Sequence, residues 1–208
     1  MPPRRVSVIC ATALLLCTVG IVGGCQVGSF GGDVRSAARE AQCVKNMEAL
    51  YDALTRYVSL HGDVPRGKDG KTSIDPLDDA KIQKELSISS SILRCPADRS
   101  PMWPSYMLNP ALAVHDMGDD SLTIMACDRT PNHIGVRTHN PVTVVLLGNG
   151  CRVLMDLPLK EQDEWRRLFL SGDKRACTAA IKRGLKGHWA NSDVMWYVGK
   201  EKGYVPNE

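Results

Sequence analysis

Cysteine and histidine offer this 208-residue chain most of its chemistry, with eight of the first and five of the second. A thiol can act as nucleophile, metal ligand or half of a disulfide, and an imidazole as base or ligand. The densest grouping is Cys127-Asp128 followed by His133 and His139, with His115 upstream. Thiolate, imidazole and carboxylate are zinc donors, and three or four suffice. The spacing is six residues from Cys127 to His133 and six more to His139, which matches no compact zinc module. Histidines in a loop with Pro131 and Asn132 also serve as surface or hairpin-capping groups, so no resident metal or cofactor is expected. A metal-dependent or thiol-based enzyme would have to use this Cys127/Asp128/His133/His139 region.

Other catalytic constellations are thin. The chain holds no Gly-x-Ser-x-Gly elbow, no Ser-x-x-Lys, no His-Glu-x-x-His and no phosphate-cradling glycine loop. Asp116, Asp119 and Asp120 surround Gly118 without the spaced oxygens of a calcium loop, which predicts a solvated acidic turn. The charges on 161–167 and 174–186 fit exposed helix faces.

The N-terminus carries a different kind of signal. Arg4 and Arg5 precede a largely apolar run, Val6 to Val22, which ends at Val22-Gly23-Gly24-Cys25. A charged foot, an apolar core and small residues at the cut site make a signal peptide. Here the small residues end in a cysteine, which resembles the lipobox of bacterial lipoproteins. That resemblance implies acylation of Cys25, including palmitate, and attachment to a membrane with the rest of the chain exported. Residues 1–24 are then a leader. Its loss takes Arg4 and Arg5 away and leaves 24 Lys+Arg against 23 Asp+Glu. A nearly neutral chain with no basic, aromatic-studded face does not point to nucleic acid.

Export changes what the cysteines mean. Cys43, Cys95, Cys127, Cys151 and Cys177 remain, in a compartment that permits disulfides. Cys43 lies in a helical pattern and Cys95 in a Cys-Pro turn. A bridge between them would close a loop of about 50 residues and contribute roughly 3–4 kcal/mol if unstrained. Cys127 and Cys151, on neighbouring expected strands, are candidates for a second bridge. Reactive thiols or metal ligands are the alternative uses.

The elements that position these residues follow from periodicity. Residues 25–32 are Gly-rich and read as a flexible tether, and Asp33 reads as a helix N-cap. Val34, Ala37, Ala41, Val44, Met47, Tyr51, Leu54 and Val58 then recur at steps of three and four, predicting one long helix that stops at Gly62. Its stripe suits packing on a core, and less readily a partner. Asp75-Pro76 predicts a short helix to Leu86, and residues 101–110 read as irregular. Strands are expected at 122–127, 142–147 and 151–155, the last two as a hairpin around Gly148-Asn149-Gly150. After Pro158 the period turns helical again over 161–170 and 174–183, and the tail from Trp189 shows little regular pattern. The expected class is α+β: a long N-terminal helix packed on a small antiparallel sheet, with C-terminal helices.

Several short motifs, in this order, are similar to those of pseudopilin-like exported proteins. They are Ala38-Arg39-Glu40-Ala41-Gln42-Cys43-Val44-Lys45-Asn46-Met47, His61-Gly62-Asp63-Val64-Pro65, Leu93-Arg94-Cys95-Pro96-Ala97-Asp98, Ser105-Tyr106-Met107-Leu108-Asn109, Cys127-Asp128, and the stretch from Arg137-Thr138-His139-Asn140 to Gly148-Asn149-Gly150. Together they span roughly residues 36–156. The resemblance implies a pseudopilin-like domain over 33–156, and the helical period after it makes 157–208 a C-terminal helical extension. The prepilin cleavage motif of that family is missing and the lipobox sits in its place. The expectation is therefore a membrane-anchored cell-envelope protein, non-catalytic, that binds or assembles with an envelope partner. Its soluble domain would lie in the periplasm or outside the cell.

Overall fold

The computed structural model describes residues 30–118, 123–134, 141–156, 159–174, 193–198 and 201–204. The leader, Cys25, His139, Cys177 and the helix expected over 174–183 fall outside the described residues, apart from Lys174.

The first element is α1, Phe30–His61. It begins three residues before the expected Asp33 cap, taking in part of the expected tether. It ends as expected: Gly62 has φ +74° and its N–H caps the carbonyl of Val58 at 2.8 Å. Burial along α1 starts only at Cys43 and continues through Val44, Met47, Leu50, Ala53 and Leu54. Ala37 and Ala41, expected in the stripe, are exposed. Ala37, Ala38, Arg39 and Ala41 are thus exposed ahead of the buried part of α1.

A single-turn 3-10 helix at Asp75–Asp78 and α2, Ala80–Leu86, replace the one helix expected after Asp75-Pro76. Asp79 breaks the two apart, its carboxylate accepting from the N–H groups of Lys81 and Ile82 at the start of α2. A second 3-10 turn, Ser90–Leu93, delivers Cys95 beneath α1.

Among the described residues seven strands form one antiparallel sheet. They are β1 (Tyr106–Leu108), β2 (Ile124–Asp128), β3 (His133–Ile134), β4 (Pro141–Leu147), β5 (Arg152–Asp156), β6 (Asp193–Val198) and β7 (Glu201–Tyr204). The order is β1-β2-β4-β5-β6-β7, with β3 paired to β4. The β4–β5 hairpin is the expected one. β1 occupies a stretch expected to be irregular, and β6 and β7 come from a tail in which no element was expected. Residues 194–198 are rich in β-branched and aromatic side chains, but only the open edge of β5 supplies the partner that makes them a strand. The C-terminal stretch is therefore not purely helical: α3, Leu159–Leu170, is followed by two more strands of the same sheet.

The two sheet faces have different covers. Val142, Val144 and Leu146 join Leu108 and Leu154 beneath α1. Val145, Leu147, Val153 and Met155 join Trp165 and Phe169 of α3. The result is three layers, with the sheet between two helices. Among the described residues no helix is long and apolar enough to cross a membrane.

The hairpin turn is the tightest local constraint. Gly150 has φ +79°, and a Cβ there would stand 3.2 Å from the Tyr51 ring of α1. Gly150→Ala should therefore lower stability by about 1–2 kcal/mol from the backbone alone, with more from crowding of Tyr51. Urea denaturation beside the wild type measures the difference.

Candidate functional site

Five elements bring their polar side chains to one place under α1. Cys43 and Asn46 come from α1, Cys95 from the Cys-Pro turn, Tyr106 from β1, Asp128 from β2 and His133 from β3. None exceeds 7% exposure, and Cys43, Cys95, Tyr106 and Asp128 stand at zero. Cys43 Sγ, Cys95 Sγ and a ring nitrogen of His133 all lie within 4.8 Å of one another.

Hydrogen bonds connect the set. Asn46 Nδ2 donates to the Arg94 carbonyl at 2.7 Å and to the Tyr106 hydroxyl at 3.3 Å. That hydroxyl lies 3.4 Å from Cys43 Sγ and, with its oxygen already accepting from Asn46, is placed to donate to the sulfur. The Cys43 thiol in turn reaches Asp128 Oδ1 at 3.4 Å. Asp128 Oδ2 accepts from the Val144 N–H of β4 at 2.9 Å. Cys95 Sγ and His133 Nε2 are 3.4 Å apart.

These neighbours push the titrations in opposite directions. Burial drives the Cys43 thiol well above its ordinary value, and the charge of Asp128 adds to that. Cys95 falls to about 5 because the Cys43 side chain hydrogen-bonds to it, against the cost of burial, with His133 assisting. Burial lifts Asp128 to about 7, helped by the charge of Cys95. For His133, burial works against the imidazolium, but the bond to Cys95 and the charge of Asp128 outweigh it and hold the ring above the usual histidine value. Cys95 is thus the more acidic thiol of the set, beside a ring that holds its proton more firmly than usual. Cys95 is sealed from solvent and His133 is 3% exposed. A cleft of about 450 Å³, lined by Ser36, Arg39, Asp98, Asn132 and His133 among others, comes up to the imidazole side.

The expected sites are redistributed. Asp128 and His133 belong to the cluster and Cys127 does not: it faces the opposite side of the sheet, with Val145 and Trp165. The expected Cys127–Cys151 pairing is also corrected. β4 lies between β2 and β5, so the two cysteines are separated by about 9–10 Å across the sheet alone, against the roughly 7 Å that a disulfide spans. Cys43 and Cys95 do meet, as expected, but as free thiols, as are Cys127 and Cys151. His115 is an exposed residue with 80% side-chain accessibility, remote from this chemistry. Asp116 is not part of a solvated turn: it is buried and accepts from Lys174 Nζ at 2.7 Å and the Ala113 N–H at 2.8 Å. Residues 119 and 120 fall outside the described residues.

Sequence reasoning underrated Tyr106 and Asn46. Both stand in the quoted short motifs, and those motifs, up to 85 residues apart, supply nearly every member of the cluster. Compared with known family models, curated proteins and solved structures, the chain matches none.

The Asp128 carboxyl, lifted from 3.8 to about 7 in the folded state, binds its proton more tightly there than in the unfolded chain. Its contribution to stability is complete below about pH 4 and is lost as pH rises through 7. In chelator-treated protein, the stability difference between wild type and Asp128→Asn should therefore shift in favour of the wild type from pH 7 to pH 4. Thermal midpoints across that range measure it.

Proposed function

We propose that this chain is a lipid-anchored protein of the bacterial cell envelope, with a pseudopilin-like domain that binds or assembles with an envelope partner and is not an enzyme. The observation that carries the reading is the exposed lead-in of α1. Burial starts at Cys43, while Ala37, Ala38, Arg39 and Ala41 stand in solvent directly downstream of the candidate acylated Cys25. A helix that exposes these side chains between the body and the proposed anchor would act as a stalk. Ala37 and Ala41 then continue the apolar stripe past the point where the core takes it up, and offer a short face to a partner.

Two further features support a non-catalytic role. Cys43, Cys95 and Asp128 lie at zero exposure beneath α1, whereas a substrate needs its nucleophile within about 3–3.5 Å. The region from which an enzyme was conceivable is also split, with Cys127 on one face of the sheet and Asp128 on the other.

Mass spectrometry of the protein extracted from its own membrane tests the anchor. The expected product begins at an acylated Cys25, and Cys25→Ser should move the protein to the aqueous phase. A chain that retains residues 1–24 would defeat the reading. Partner binding is tested on the exposed stripe. Ala37→Asp with Ala41→Asp should change stability by no more than about 0.5 kcal/mol each while lowering cross-linking to the envelope partner. Met47→Asp cannot serve for this purpose. Met47 is fully buried, and a charge there should unfold the domain.

A further inference from the structure

We infer that Cys43, Cys95 and His133 supply three of the four ligands of a zinc(II) site that clamps α1 to the sheet. The inference stands on donor types, geometry and burial, and is independent of where the protein resides. Two thiolates and an imidazole are zinc ligands, with Zn–S near 2.3 Å and Zn–N near 2.0–2.1 Å, and a tetrahedral arrangement puts such ligand atoms about 3.5–3.8 Å apart. Cys95 Sγ and His133 Nε2 are already 3.4 Å apart, and all three ligand atoms fall within 4.8 Å of one another. An ion enters this set with small side-chain adjustments and no movement of the elements.

The charge balance also favours zinc. Zinc replaces the two thiol protons, so the ion, two thiolates and a neutral imidazole sum to zero, the net charge a dry interior tolerates best. The surroundings fit the bound state. The Tyr106 hydroxyl is aimed at Cys43 Sγ, and Asn46 holds that hydroxyl in place. A donor fixed on a ligating sulfur is what orients a metal site from outside the ligands. Asp128 Oδ1, 3.4 Å from the same sulfur, closes the site at the β2 side. The cleft beside His133 gives the ion a way in.

A Cys43–Cys95 disulfide is the competing use of the same sulfurs. It would leave the buried imidazole of His133 facing a bridge that has no proton to donate and accepts only weakly. Zinc engages the imidazole and both sulfurs together.

The test uses the full chain extracted in detergent. One portion goes directly to native mass spectrometry, and a second is reduced, stripped with chelator and titrated with cobalt(II), then zinc(II). The expected results are one zinc per chain in the extract and one equivalent of cobalt. That cobalt should show thiolate-to-metal charge-transfer absorption and the strong visible bands of a tetrahedral ion, both erased by zinc. His133→Gln and Cys95→Ser should each weaken zinc binding by more than about 100-fold, beyond the 10–100-fold typical of groups outside the ligand shell, while Cys151→Ser leaves it unchanged. The wild-type titration needs no variant to fold. An extract two hydrogens light with Cys43 linked to Cys95 would overturn the inference. So would reduced protein that takes up no cobalt, or bound cobalt without the thiolate band.

Discussion

Asp128 has no contact with solvent, and a buried carboxyl must be met by partners or it destabilises the fold. The interior is arranged around that requirement. One oxygen takes the Val144 N–H of the central strand β4, and the other takes the Cys43 thiol of α1. A single side chain thus joins the sheet to the helix that covers it. Breaking either contact leaves a polar atom stranded in a dry interior, at a cost of about 1–3 kcal/mol, so the position of α1 along the sheet is held by polar matching as well as by apolar packing. Tyr106, Asn46, Cys95 and His133 extend the same logic, each satisfied by a group from another element.

The apolar contribution is larger but less specific. Met47, Leu50 and Leu54 present a smooth stripe to Val142, Val144 and Leu146, and such a stripe can slide by a turn at modest expense. Polar groups in a low-dielectric interior tolerate no such slippage. The tight approach of Tyr51 to Gly150 adds a steric stop at the hairpin end of α1. Register is therefore fixed at two points, one polar and one steric, with apolar packing between them. A metal ion at the thiol end would displace the Cys43 proton that Asp128 accepts and would hold the same end of α1 through Cys43, Cys95 and His133 instead.

This arrangement bears on what the proposed N-terminal anchor would load. The buried part of α1 runs from Cys43 to Leu54, while Ala37, Ala38, Arg39 and Ala41 before it are exposed. A pull on the N-terminus is delivered at Cys43, where the cross-element bonds concentrate. On the other face of the sheet, Trp165 and Phe169 stack at 5.6 Å between ring centres and give α3 a conventional apolar seat. The chemistry-bearing face and the plain structural face are thereby separated by the sheet.

Local pattern settled the long helix and its glycine stop, the β4–β5 hairpin, α3 and the α+β class, because periods of 3.6 and 2 are written directly into neighbouring residues. It also supplied Cys43, Cys95, Asp128 and His133 as residues of interest. It could not assemble them, since their meeting depends on contacts between segments up to 85 residues apart. Nor could it choose between Cys127 and Asp128. Strict alternation from Ile124 would have put Cys127 under α1 and Asp128 under α3. A register shift between Ile124 and Ala126 turns Met125 and Ala126 to the same side and reverses the outcome. Likewise β6 and β7 exist because the edge of β5 offers hydrogen bonds, which no window of their own residues reveals. What the sequence determined by itself is what near neighbours decide. Which side chains share one buried space was decided by strand pairing and a single bulge, through interactions that form only once the chain has folded.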